Sequence, residues 1–123
     1  MDNVRFMYVR NANYEPIGCV AITVNRGKNR AEYGLSMRNP SDAVDDRHRK
    51  LPFDRTLAQK LAEIDLSPRH HRPQAPRVYI PNNATMHDIT ESVLKDIVAS
   101  GNAPSGAVKF AKRWLQAFNI VFG

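Results

Sequence analysis

A single cysteine, Cys19, leaves this 123-residue chain unable to form an intramolecular disulfide. That excludes the disulfide-stapled secreted folds and suits a reducing cytoplasm. Cys19 leads into the apolar run Val20–Val24, so it reads as a small buried hydrophobe rather than a nucleophile. No apolar run is long enough to span a bilayer, so no membrane role is expected. The opening residues carry Asp2, Arg5 and Arg10 without an apolar stretch, which speaks against a signal peptide. No GxSxG, HExxH, Walker loop or nucleotide-binding glycine fingerprint occurs. His48, His70, His71 and His87 fall in no HxxxH or CxxC pattern, so neither a metal nor a cofactor is expected. Asp45 and Asp46 sit among cations and read as surface pairs rather than as a general acid and base. These absences together point to a protein that is not an enzyme.

What the sequence has is positive charge. Eighteen Lys and Arg against twelve Asp and Glu give a formal net charge of +6, which favours anionic partners. The cations come in clusters. Arg26, Lys28 and Arg30 stand at an expected hairpin tip; Arg47, Arg49 and Lys50 lie in a charged run; Arg69 and Arg72 lie in a proline-rich loop. Lys109, Lys112 and Arg113 lie on a C-terminal helix that carries no acid. If they share a face, these groups can follow a phosphate backbone, with Tyr14 or Tyr79 for base stacking. No RRM, KH, zinc-finger or helix-turn-helix signature accompanies them. The apolar C-terminal stretch around Trp114, Phe118, Ile120 and Phe122 either completes a core or exposes a patch for self-association or a target; a homodimer stays open.

Alternation predicts strands over Val4–Arg10, Ile17–Asn25 and Ala31–Arg38, joined by short loops into an antiparallel meander. Gly18 marks a bulge, and Gly27 takes the left-handed position in the second loop. Arg77–Ile80, between prolines, predicts an edge strand. Ser41 or Asp42 is a candidate cap for a short turn. Asp54 starts a helix whose stripe, Phe53, Leu57, Leu61 and Ile64, is expected to pack on Val20, Ile22, Val24, Tyr33 and Leu35. The other sheet face is expected to be partly wet. Thr85 or Asp88 caps a second helix with Ile89, Val93, Leu94 and Ile97 inward, stopped at Gly101. Pro104 and Ser105 open a third, with Ala107, Phe110, Ala111, Trp114 and Phe118 inward. The expected fold is α+β: a three- or four-stranded antiparallel sheet packed by about three helices. One domain is read over 1–123: a sheet-plus-helix unit at 1–66, a linker and edge strand at 67–84, and a helical pair at 85–123.

Asn39-Pro40-Ser41-Asp42, then Phe53-Asp54-Arg55 and Leu57-Ala58, resembles small bacteriophage-encoded accessory proteins, in which a strand ends in a Pro-x-Asp turn and leads into a basic amphipathic helix. The likeness covers about a quarter of the chain by its turn and helix chemistry. This chain departs from the pattern in the insertion Ala43–Pro52 and in having Ala62-Glu63 where a Gly-Arg is usual. The resemblance implies a viral protein acting in the host cytoplasm as an inhibitor of a host enzyme or defence system, of anti-CRISPR type or similar. Its expected partner is a host protein or protein–nucleic-acid complex, engaged through the basic surface. The alternative is direct binding of DNA or RNA.

Overall fold

The structure is a computed structural model that describes residues 4–39, 44–68 and 74–122, with side chains as far as Ala117. The strands are β1 (Val4–Arg10), β2 (Pro16–Asn25), β3 (Arg30–Met37) and β4 (Arg77–Tyr79); the helices are α1 (Arg55–Asp65), α2 (Met86–Ser100) and α3 (Ser105–Phe122). The sheet has the order β1-β2-β3-β4 with every pair antiparallel. This is the α+β meander that alternation predicts, and the short strand between Pro76 and Pro81 is indeed at an edge. Next to Gly18 the pairing skips Ile17, since Val9 faces Gly18 and Arg10 faces Pro16. A side chain at Gly18 would lie 2.4 Å from the Ser36 carbonyl oxygen, so this bulge also depends on close backbone approach.

The β2–β3 connection differs from expectation. Arg26–Lys28 form a 3₁₀ turn, the Asn25 side chain accepts from Lys28 N, and Asn29 takes the left-handed conformation at φ 52°. Asn tolerates this conformation because its short amide bonds locally; Gly27 is not needed there.

Both faces of the sheet are covered, rather than one. On the first face Val20, Ile22 and Tyr33 pack with Ile89, Val93, Leu94 and Ile97 of α2 and with Ala107 and Ala111 of α3. Apart from the two alanines these side chains are branched or aromatic, and together they form the main core. Thr85 and Asp88 form a reciprocal capping box at the start of α2, and Gly101 ends it at φ 73°. Tyr33 also donates its hydroxyl to Asp96 of α2 at 2.6 Å.

The second face carries α1. Here the sheet presents Cys19 and Ala21, and the helix presents Ala58 and Ala62. The stripe expected to pack on Val20, Ile22, Val24, Tyr33 and Leu35 instead lies on the opposite side of the sheet from them. Phe53 alone of that stripe is half-buried, edge-on to Tyr8 with ring centroids 6.1 Å apart. Leu57, Leu61 and Ile64 are 51%, 45% and 59% exposed. The physical reason is the closeness of helix and sheet. A Cβ at Gly34 would fall 2.3 Å from the Ala62 carbonyl oxygen, so only small residues fit between the two backbones. Polar contacts fix the rotation: Ser36 Oγ donates to the Ala58 carbonyl at 2.8 Å, and Asp65 accepts from Leu35 N at 2.7 Å. The latter occupies an N–H of β3 beyond the reach of the short β4.

Cys19 is fully buried on this face, as expected of a small hydrophobe, and burial pushes its thiol up to about 11. Among the described residues no helix is long and apolar enough to cross a membrane.

Candidate functional site

The sheet separates the cation clusters. Arg26 and Lys28 sit at the β2–β3 tip. Arg47, Arg49 and Lys50 sit at the opposite end, beside the β1–β2 turn. The distance between these ends is the run of β2 from Gly18 to Asn25, about 23 Å at the usual rise. Arg69 and Arg72 lie outside the described residues, as do Ser41, Asp42, His70 and His71. The side chains of Phe118, Ile120 and Phe122 lie outside them too.

Several of the cations are already engaged. Arg26 Nη1 donates to the Ala84 carbonyl at 2.9 Å and ties the hairpin to the start of α2. Arg30 Nε is buried and stands 3.6 Å from Glu32, an ion pair too long for a hydrogen bond. Asp45 closes the charged loop: it accepts from Arg47 N, Arg49 N and Arg49 Nε at 2.7–2.9 Å. The Arg49 and Arg47 backbone bonds hold its carboxyl below the usual aspartate range against partial desolvation. Lys50 reaches across to Glu15 in the β1–β2 turn, and that contact lowers the Glu15 carboxyl. Exposed pairs of this kind contribute little to stability, but they reduce the charge offered to a partner. Lys109, Lys112 and Arg113 remain on the surface of α3.

The structure exposes two surfaces that the sequence does not single out. The first is the outward side of α1. Leu57 and Leu61 border a depression of about 240 Å³ whose floor and walls include Met37, Leu51, Pro52 and Phe53. Leu51 is 38% exposed, extending the row. Lys60, one turn from Leu57 and Ile64, stands beside the row. Asp54 lies in the wall of the depression, and Arg55 turns to the sheet side, 5.1 Å over the Tyr8 ring. The helical periodicity reveals the stripe; only the packing of α1 reveals that it faces solvent.

The second surface is the β1–β2 turn. Tyr14 is 81% exposed, and Arg10, Tyr14, Phe110, Arg113 and Trp114 line a depression there. Arg113 donates to the Arg10 carbonyl, which brings α3 to this end of the sheet. Arg10 closes a strand more than a hundred residues before Arg113, so its place here was not legible from spacing.

Among the described residues no group of three His, Cys, Asp or Glu is placed to hold a metal. His87 packs against Trp114, with ring centroids 5.1 Å apart, and His48 lies in the exposed charged loop at φ 60°. No family model, curated protein or solved structure matches this chain.

Proposed function

We propose that this chain is a non-enzymatic accessory protein of phage type that inhibits a host defence or nucleic-acid-handling complex by attaching to it. The observation that carries this reading is the row Leu57, Leu61 and Ile64 on α1, each about half-exposed beside an apolar depression. Singly exposed aliphatics are ordinary, but a contiguous row over a depression is the pattern of a contact surface. Lys60 beside it favours a protein partner with a carboxylate at the rim of its apolar contact, and Asp54 in the wall of the depression favours a donor there. The remaining basic groups then serve to steer the encounter rather than to form the contact. The cytoplasm of the host cell is the compartment this reading requires.

The test is phage plating on bacteria that carry a nucleic-acid-targeting defence, with and without this chain expressed. Plaque counts should rise with the wild-type chain and return to baseline with Leu57→Glu/Leu61→Glu, a variant expected to keep its circular dichroism. Full activity of that variant would rule out the α1 surface. Direct DNA or RNA binding is the alternative, favoured by the cations gathered around the β1–β2 turn. It calls for affinity for bare nucleic acid that falls steeply with salt.

A further inference from the structure

The β1–β2 turn is built to hold its backbone still while one aromatic ring stays in solvent. Asn11 Oδ1 accepts from Asn13 N and Glu15 N at 2.9 and 3.0 Å. Arg10 Nη1 donates to the Tyr14 carbonyl at 2.9 Å. Tyr14 itself has φ 63°, a conformation that bulky residues rarely adopt without compensation from their surroundings. Beside it lies a depression of about 260 Å³ lined by Arg10, Tyr14, Phe110, Arg113 and Trp114, with no carboxylate in its wall.

The two guanidinium groups differ from Arg49 and Lys50 at this end. Arg49 and Lys50 are matched by Asp45 and Glu15. Arg10 and Arg113 meet only backbone carbonyls among the described residues. A guanidinium has five donors, so each keeps donors for an anion. Three aromatic rings and two cations without carboxylate partners around one depression suit a ligand with a flat ring and a phosphate.

We infer that this depression is a nucleotide site for single-stranded nucleic acid, in which a base stacks on Tyr14 beside Trp114 and the adjoining phosphate meets Arg10 and Arg113. Stacking of this kind tolerates any base, and charge-assisted bonds fix the backbone. A duplex keeps its bases stacked on one another and cannot offer one here. The site deepens the alternative of direct nucleic-acid binding. It shares no residue with the α1 row, so each reading can fail without the other.

Trp114 is the only tryptophan in the chain, so its fluorescence reports on this site. The full chain is titrated with a short single-stranded oligothymidylate, its duplex with oligoadenylate, and thymidine monophosphate, at low and moderate salt. Anisotropy of the labelled strand is recorded alongside. The expected result is saturable quenching by the single strand, weakened by salt, with the duplex at least about tenfold weaker, since a single stacked base is worth that order, and the mononucleotide weaker too, since it lacks the further phosphates of a strand. Tyr14→Asn, which tolerates the left-handed backbone, should weaken binding about fivefold or more. Arg113→Gln removes one cation from the site and should reduce the salt slope by about one. Leu57→Glu/Leu61→Glu should bind as wild type. Binding seen by anisotropy without quenching would place the strand elsewhere and overturn the inference. So would equal affinity for duplex or mononucleotide, unchanged affinity in Tyr14→Asn, or no binding at low salt.

Discussion

Helices α1 and α2 carry comparable apolar stripes and lie on opposite faces of one sheet, yet they are used in opposite ways. Helix α2 turns Ile89, Val93, Leu94 and Ile97 inward, all essentially inaccessible to solvent. Helix α1 turns Ala58 and Ala62 inward and leaves Leu57, Leu61 and Ile64 at the surface. The difference lies in the sheet beneath them. Strand β2 offers Val20 and Ile22 to α2, but Cys19 and Ala21 to α1. On the α1 side, Gly34 lets the two backbones meet, and the contact is set by small residues and by Ser36 and Asp65 rather than by large apolar side chains. An amphipathic stripe therefore identifies a helix without deciding which of its faces is buried. The exposed stripe is the surface proposed for a partner.

Substitutions at matched positions should separate the two helices. Ile97→Ala in the main core should cost about 2–5 kcal/mol in urea unfolding, whereas Leu61→Ala on α1 should cost about 1 kcal/mol or less, since nearly half of Leu61 is already in solvent. Equal losses would break the comparison. Gly34→Ala should cost about 1–3 kcal/mol by overpacking against the Ala62 carbonyl. A neutral result there would mean that α1 stands farther from the sheet. Thr85→Ala removes the α2 cap and should cost about 1 kcal/mol, read from the same unfolding curves.

The smallest expected effect is with acid. Bonds from the Thr85 backbone and hydroxyl hold the Asp88 carboxyl below its ordinary value. Its folded value is thus lower than its unfolded one, so its contribution is complete above the ordinary aspartate range and fades as pH falls through the folded value. The unfolding midpoint should decline below about pH 4, and Asp88→Asn should flatten part of that decline.

Much of the fold was legible because local chemistry and packing agree. Alternation in β2, the prolines around β4, and the Thr85, Asp88 and Gly101 signals of α2 each specify one outcome. The burial of Cys19 follows from its apolar run. The rotation of α1 was not legible, because its large aliphatics outweigh Ala58 and Ala62 in any periodic reading. What decides the outcome is Gly34, some thirty residues away in sequence. Likewise, cation clusters read along the chain could not show that Arg26 and Lys28 stand at the other end of the sheet from Arg47 and Lys50. Nor could they show that Arg10 and Arg113 meet, since that contact exists only once α3 has folded back to β1.

The central claim is that α1 faces solvent with its large side chains. The most direct test is the urea unfolding midpoint of the triple variant Leu57→Gln/Leu61→Gln/Ile64→Gln. These side chains are about half-exposed, so the account predicts a cooperative transition with less than about 2 kcal/mol lost in total. A loss of about 6 kcal/mol or more, or a chain that no longer folds, is what three buried aliphatics would give. Either result would contradict the orientation of α1 and, with it, the surface proposed for the partner.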